Sequence, residues 1–97
     1  MKKFSPKVSF VKKNIEKVPA DNPVLYKIKN SAGDNIYTGV AKRGRVQERL
    51  KEHLPGSKDA IPGSETFSIK QKLSIESAER EEKRIIKNEH PKYNEQE

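Results

Sequence analysis

The chain has 97 residues, of which 31% are hydrophobic and 36% are charged, and it contains no cysteine. This length predicts one small domain, and the lack of cysteine excludes disulfides, thiolate metal sites and zinc fingers. The formal net charge of +7 favours a polyanionic partner, above all nucleic acid, because phosphate neutralisation releases condensed counterions. The sequence contains neither a signal-like apolar run nor a membrane span, so we expect a soluble, cytoplasmic protein without a membrane partner.

The first element that we predict is an N-terminal helix. Between residues 4 and 18, apolar side chains recur at alternating steps of four and three, the spacing of one helix face. These side chains are Phe4, Val8, Val11, Ile15 and Val18. The stripe favours a helix that packs on the core over a basic arm that faces a groove. A proline-rich break follows, so we predict a helical extension over residues 1–22 and the main domain over residues 23–97.

A β-hairpin is predicted next. Residues 24–29 alternate, with Val24, Tyr26 and Ile28 on one face. Residues 36–40 can pair back onto this strand, because the residues between the two segments are rich in turn formers.

A helix, a strand and a second helix complete the prediction. Val46, Leu50 and Leu54 recur every four residues and indicate an amphipathic helix that ends before a Pro-Gly pair. Alternation over residues 66–70 predicts a third strand, and a last helix is predicted over residues 75–88. This order indicates an α+β fold in which a small three-stranded antiparallel sheet is flanked by helices. Its core order is β-β-α-β-α, after the N-terminal helix.

The last helix, for which Ser74 is the predicted N-cap, carries a residue that breaks its apolar stripe. Three-four spacing places Glu82 between Ala78 and Ile85 on the buried side. An unpartnered carboxylate there would cost roughly 2 to 7 kcal/mol, which indicates a metal ion or an arginine as its partner. An interpretation of equal weight is a narrow stripe from which Glu82 tips into solvent.

A basic row accompanies the apolar stripe of the middle helix. Arg45, Arg49 and His53 recur every four residues, one step around from the apolar side chains. Guanidinium groups suit phosphate because their planar fork bonds two oxygens and stays charged. For this helix alone, a solvated basic face paired with Glu48 and Glu52 is an equally good interpretation.

The ordered set of these residues resembles the GIY-YIG nuclease superfamily over most of the chain. Its members are Tyr26, Tyr37, Arg49, His53, Glu82 and Asn94. The two triplets of the family correspond here to Val24-Leu25-Tyr26 and Tyr37-Thr38-Gly39. His53, four residues after Arg49, favours Arg49 over Arg45 as the helical arginine of the motif.

The resemblance implies a metal-dependent endonuclease, a hydrolase that cuts the phosphodiester backbone of DNA, as in DNA repair or recombination. It implies that Glu82 binds a single Mg²⁺ or Mn²⁺, hard cations with oxygen ligands, and that Arg49 offsets charge on the phosphate oxygens. Tyr26 is the implied general base or water-positioning group, supported by Tyr37 and His53. His53 is the chemically easier base, so the choice between these two stays open. The remaining member of the set, Asn94, is implied as a positioning residue.

Lys42, Arg43 and Arg45 are expected to contact the nucleic-acid backbone without reading its sequence, since phosphate contacts position a protein but do not specify bases. The alternative function is a catalytically inactive nucleic-acid-binding module of the same fold. No catalytic residue of the motif set is missing, which counts against that alternative. A plain interaction protein with solvated charges is a third, weaker hypothesis. DNA is the favoured partner, although RNA presents the same phosphates.

Overall fold

A four-stranded antiparallel sheet in the order β1-β4-β2-β3 organises the chain. In this computed structural model, residues 3–94 are described. The elements in chain order are β1 (Val8–Ser9), α1 (Lys12–Ile15), β2 (Val24–Lys29), β3 (Asn35–Ala41), α2 (Val46–Lys51), β4 (Thr66–Gln71), α3 (Ile75–Glu89) and a 3-10 helix (Lys92–Asn94). The α+β class and the antiparallel sheet are confirmed, but the sheet has four strands where three were predicted.

The predicted hairpin forms the centre of the sheet. Val24, Tyr26 and Ile28 alternate along β2 and are fully buried. In the register of the sheet, Tyr26 lies opposite Gly39 of β3 and opposite Ile69 of β4. This register brings the glycine of the second triplet directly beside the tyrosine of the first.

The prediction of an N-terminal helix over residues 4–18 is wrong for most of that segment. Its first half pairs with β4 as the edge strand β1, and only the four residues of α1 are helical. Val8 and Val11, which the stripe placed on the core, are 43% and 46% exposed. Phe10, outside the stripe, is buried, and its ring packs edge-on against Phe67 with the centroids 5.4 Å apart.

The physical reason for this difference is the free edge of β4. Backbone hydrogen bonds to that edge, such as Ser5 N–H to Ile69 O at 2.8 Å, satisfy groups that a helix would otherwise have to satisfy. The buried side chains of Phe10, Ile15 and Val18 belong to the same core as the hairpin. The proposed boundary between residues 22 and 23 stays a prediction.

The remaining elements follow the predicted pattern. Helix α2 is shorter than expected and continues as turns up to the loop that begins at Pro55. Ser74 caps α3 as predicted, since its Oγ accepts a hydrogen bond from the backbone N–H of Ser77 at 3.1 Å. The helix ends at Glu89, where His90 adopts a left-handed conformation before Pro91. Within residues 3–94, no helix combines the length and the apolar character needed to cross a membrane.

Candidate active site

A buried hydrogen bond joins Tyr26 of β2 to His53, which follows α2. The Tyr26 hydroxyl lies 2.9 Å from His53 Nε2, and both side chains are almost completely buried. His53 Nδ1 lies 2.9 Å from the backbone carbonyl oxygen of Asp59. Because a carbonyl oxygen only accepts, Nδ1 carries the ring proton and Nε2 is the acceptor for the Tyr26 hydroxyl. The loop carbonyl thus fixes the histidine tautomer and the direction of the tyrosine hydrogen bond.

Burial sets the protonation state of this pair. It lowers the pKa of His53, and the charge of Arg49 lowers it further, against the opposing effect of the Asp59 hydrogen bond. Burial also raises the pKa of Tyr26 well above its usual value. At neutral pH both groups are therefore uncharged. This corrects the predicted basic row, because His53 adds no positive charge beside Arg49.

Gly39 makes the position of the Tyr26 ring possible. A Cβ atom at residue 39 would lie 2.5 Å from both Cζ and the hydroxyl oxygen of Tyr26. The backbone of Gly39 is not in a left-handed conformation, so the requirement for glycine here is one of space alone. The ring of Tyr26 crosses β3 where a side chain is missing, and its hydroxyl thereby reaches His53.

Tyr37 is the more accessible of the two tyrosines. Its ring centroid lies 6.3 Å from that of Tyr26 and 4.8 Å from that of His53, and its side chain is only partly buried. Burial raises the pKa of Tyr37, whereas the adjacent charge of Arg49 lowers it, and the net shift is upward. Tyr37 therefore lies between the buried pair and solvent.

Arg49 is held by two carboxylates. Its Nη1 atom donates to Glu52 Oε1 at 2.6 Å and to Asp59 Oδ2 at 2.9 Å. The same guanidinium lies close enough to Tyr26 and Tyr37 to lower the pKa of both. The alternative of a paired basic face is thus partly right for α2, but Arg49 also faces the tyrosines.

Glu82 of α3 completes the group from the other side. Its negative charge raises the pKa of both Tyr26 and Tyr37, so its carboxylate is within electrostatic reach of the two hydroxyls. Burial raises the pKa of Glu82 itself, Glu79 adds to the rise and Lys83 opposes it. Among residues 3–94, none forms a hydrogen bond or salt bridge with the Glu82 carboxylate. Glu82 is thus a partly buried carboxylate at the edge of the core with no paired side chain among the described residues, and the arginine partner considered from the sequence is not found there.

This donor set fits a divalent cation of the magnesium type. Within the described residues, no group of three or more His, Asp or Glu side chains is arranged to hold a metal. A single oxygen donor beside open solvent suits Mg²⁺, which is often bound by one or two carboxylates and keeps several waters. The unpaired carboxylate of Glu82 is the group that such an ion would neutralise.

Asn94 supports the site through the backbone of β3. Its Oδ1 accepts from Thr38 N–H at 2.7 Å, and its Nδ2 donates to Thr38 O at 2.9 Å. The Asn94 side chain thus satisfies both backbone hydrogen-bonding groups, N–H and C=O, of Thr38, the residue between Tyr37 and Gly39. Asn94 therefore ties the segment after α3 to β3 beside Tyr37.

The three predicted backbone contacts are all exposed. Lys42 and Arg45 line a shallow depression together with Arg49, which brings two of them beside the candidate site. The third, Arg43, does not line this depression. The guanidinium of Arg45 forms a salt bridge with Glu48 at 2.9 Å.

Two positioning residues were missed from the sequence. Asp59 binds Arg49 through its side chain and His53 through its carbonyl, and Gly39 was noted as part of a motif without its steric role. The role of Asp59 depends on how the loop after α2 closes, for which the sequence carries no periodic signal. The role of Gly39 follows from the hairpin register, which places it opposite Tyr26.

The sequence matches no family model and no curated protein. Among solved structures, it is similar to the GIY-YIG N-terminal endonuclease domain of UvrC from Thermotoga maritima, bound to its catalytic divalent cation, magnesium. The identity is 28% and the TM-score is 0.68, over 88% of this chain and 100% of that chain.

Two point mutants of the same domain, each bound to the catalytic divalent cation, are also similar. A tyrosine-to-phenylalanine mutant has a TM-score of 0.65 at 28% identity, over 87% of this chain and 93% of that one. An asparagine-to-alanine mutant has a TM-score of 0.60 at 28% identity, over 86% of this chain and 97% of that one. The chain therefore has the GIY-YIG-type fold that its motifs resemble, and this similarity supports a nuclease-type function.

Proposed function

We propose that the chain is a metal-dependent endonuclease that hydrolyses phosphodiester bonds in DNA. The observation that carries the proposal is the convergence of one arginine and one unpartnered carboxylate on two tyrosine hydroxyls. Arg49 and Glu82 come from different helices, and both act on Tyr26 and Tyr37. Opposite charges around hydroxyl groups suit a reaction in which a phosphate is bound and a proton is removed.

Glu82 is the proposed ligand of one Mg²⁺ or Mn²⁺. When bound, the ion supplies Lewis-acid stabilisation to the scissile phosphate and the leaving oxygen. The UvrC domain was crystallised with its catalytic magnesium, which supports this choice of cofactor. The half-buried carboxylate of Glu82, which forms no salt bridge within residues 3–94, would then gain a cation.

Tyr26 and His53 are proposed to act as one proton acceptor. The hydroxyl of Tyr26 already donates to Nε2, so the proton of an attacking water would pass to Tyr26 as the phenol proton passes to His53. The Asp59 carbonyl oxygen accepts from Nδ1 and would stabilise the resulting imidazolium. This arrangement joins the two candidate bases in a single relay.

Arg49 is proposed to bind the non-bridging phosphate oxygens. In the free protein, Glu52 and Asp59 neutralise it, and Asp59 is the more exposed of the two at 48% against 18%. An incoming phosphate would therefore exchange with Asp59. Tyr26 has no exposed surface, so this exchange, together with movement of Tyr37, would open the path to its hydroxyl. Nearby, the depression lined by Lys42 and Arg45 would guide the DNA backbone toward Arg49.

A catalytically inactive nucleic-acid-binding module is the second candidate. The complete burial of Tyr26 and the double pairing of Arg49 favour it, because both groups are occupied before any substrate arrives. A resting site of this kind would bind phosphate through exposed lysines and arginines without cutting it.

Cleavage assays separate the two candidates. Supercoiled plasmid, branched oligonucleotides and single strands would be incubated with wild type and with Glu82→Gln, in Mg²⁺, in Mn²⁺ and in EDTA. The exposed Glu76→Gln, on the same helix, is the matched control. We expect metal-dependent cutting that Glu82→Gln lowers by about three orders of magnitude, since the ion contributes several kcal/mol of charge stabilisation.

Wild-type protein that binds DNA with a steep salt dependence but cuts none of these substrates would favour the binding module. Equal cutting by wild type and Glu82→Gln would remove Glu82 from the site.

A further inference from the structure

Neighbouring carboxylates of α3 point to different sides of the molecule. Glu81 accepts from Lys70 Nζ at 2.9 Å and from Lys72 Nζ at 2.6 Å, and both lysines belong to β4 or directly follow it. Glu82, the next residue, is close enough to Tyr26 on β2 and Tyr37 on β3 for its charge to raise the pKa of both hydroxyls. In the sheet, β4 and β3 lie on opposite sides of β2. The two flanks of α3 therefore carry two separate charged sites.

The flank toward β4 has more positive charge than Glu81 can neutralise. Arg80 and Arg84 line the same depression as Lys72, and Arg84 Nη2 lies 3.5 Å from Glu81. We call Lys70, Lys72, Arg80 and Arg84 the β4–α3 basic cluster. With four basic side chains around one carboxylate, its net charge is +3. Within residues 3–94, the other acids of this half of α3, Glu76 and Glu79, form no salt bridge with the cluster.

The two lysines of the cluster are held in place by Glu81. The side chains of Lys70, Lys72 and Glu81 are only 15%, 18% and 12% exposed. Side chains fixed in this way lose little conformational entropy when they bind a further anion. Arg84, which is 65% exposed and only 3.5 Å from Glu81, and the exposed Arg80 extend from this fixed base and can reach a phosphate.

We infer that the β4–α3 basic cluster is a second backbone-contact site, which binds the uncut strand of a duplex while the other strand lies at Glu82. The inference rests on the proposed function and adds a second nucleic-acid contact surface, away from the candidate active site. Consecutive helical residues lie about 100° apart around the axis, so the two flanks are closer together than the roughly 10–12 Å diameter of a helix. One duplex, whose backbones flank a major groove about 12 Å wide, can therefore contact both. A single flexible strand offers no second backbone at a fixed spacing.

Binding measured in EDTA tests this without cleavage. Fluorescence anisotropy would compare a labelled duplex with the same labelled single strand over a range of salt concentrations. The variant is Arg80→Gln/Arg84→Gln, because both side chains are exposed and the partly buried Lys70–Glu81–Lys72 pairs stay intact. The control is Lys12→Gln/Lys13→Gln, which removes the same charge from exposed positions of α1. Thermal melting verifies that both variants remain folded.

We expect the arginine variant to bind the duplex more weakly, with a log–log salt slope smaller by about one to two than that of wild type. The control should keep the wild-type slope, and the single strand should bind all three proteins almost equally. Duplex binding by the arginine variant like that of wild type, or an equal loss on the single strand, would overturn the inference. If either result is found while the wild-type protein cuts DNA, only the inference about the β4–α3 basic cluster is wrong. If the wild-type protein binds no nucleic acid at all, the proposed function is wrong as well.

Discussion

The two flanks of α3 place the same residue type in opposite electrostatic situations. On the flank toward β4, Glu81 has two lysines within hydrogen-bonding distance and an arginine at 3.5 Å. On the flank toward the tyrosines, the described residues give Glu82 no such partner. The paired carboxylate of Glu81 links α3 to β4, whereas the carboxylate of Glu82 can still accept a ligand. The contrast between adjacent positions supports the proposed role of Glu82 as the ligand of a cation.

The largest expected effect comes from disturbing the tyrosine flank through Gly39→Ala. The added Cβ would meet the Tyr26 ring at 2.5 Å and push its hydroxyl away from His53. Loss of a positioned proton acceptor should lower the cleavage rate by about a hundredfold or more. The nitrogen chemical shifts of His53, measured by NMR, should also change, because Nε2 loses its donor.

Gly63→Ala is the control for this prediction. Gly63 has a φ of +81° but no atom within 4 Å of an added Cβ, so alanine there brings backbone strain without a collision near the site. It should lower stability and leave the cleavage rate per folded molecule unchanged. Normal cleavage by Gly39→Ala would contradict the role given to Tyr26.

The second-largest effect is a change in the free energy of unfolding, and we expect opposite signs for substitutions of Glu81 and Glu82. Burial alone would raise the pKa of Glu81, but its hydrogen bonds from Lys72 and Lys70 lower it overall. Glu81 therefore stabilises the fold above its unfolded pKa, and this stability is lost as pH falls through the folded value. At pH 7, Glu81→Gln should lower the free energy of unfolding by about 1 to 3 kcal/mol.

For Glu82, burial raises the pKa, so its ionisation destabilises the fold. The associated stability is fully present below the unfolded pKa and is lost as pH rises through the folded value. In metal-free buffer at pH 7, Glu82→Gln should thus be more stable than wild type, and this difference should vanish near pH 4. Urea unfolding at both pH values measures these changes. Destabilisation by Glu82→Gln at pH 7 would instead reveal a stabilising partner of the Glu82 carboxylate.

The smallest effect is expected for Asn94→Ala. Two hydrogen bonds to Thr38 would be lost, which should lower the free energy of unfolding by about 1 to 2 kcal/mol. Metal binding should be unaffected, since Asn94 acts through the backbone of β3. Hydrogen exchange at the amide of Thr38 would report the loss directly, and unchanged protection there would contradict this role.

The sequence correctly predicted elements in which one face is buried, because apolar residues then recur at the spacing of a strand or a helix. The alternating core face of β2 is of this kind and is confirmed, although Leu25 on its other face is also fully buried. The Ser74 cap of α3, also confirmed, was predicted from its residue type. The N-terminal segment was mispredicted because a few apolar positions fit a helix, while the free edge of β4 is invisible in a local pattern. The three-four spacing of apolar residues in α3 predicted that Glu82 lies at the edge of the core. The tautomer of His53 depends on a loop carbonyl, which every residue possesses, so no residue type could have indicated it.

Titration calorimetry with Mn²⁺ on wild type, Glu82→Gln and Glu81→Gln tests the central claim most directly. We predict one site in wild type and in Glu81→Gln, and none in Glu82→Gln. The two variants remove the same charge from adjacent residues, so bulk electrostatics alone would weaken Mn²⁺ binding equally in both. Binding by Glu82→Gln that equals wild type, or binding lost only in Glu81→Gln, would contradict the assignment of Glu82 as the ligand of the catalytic ion.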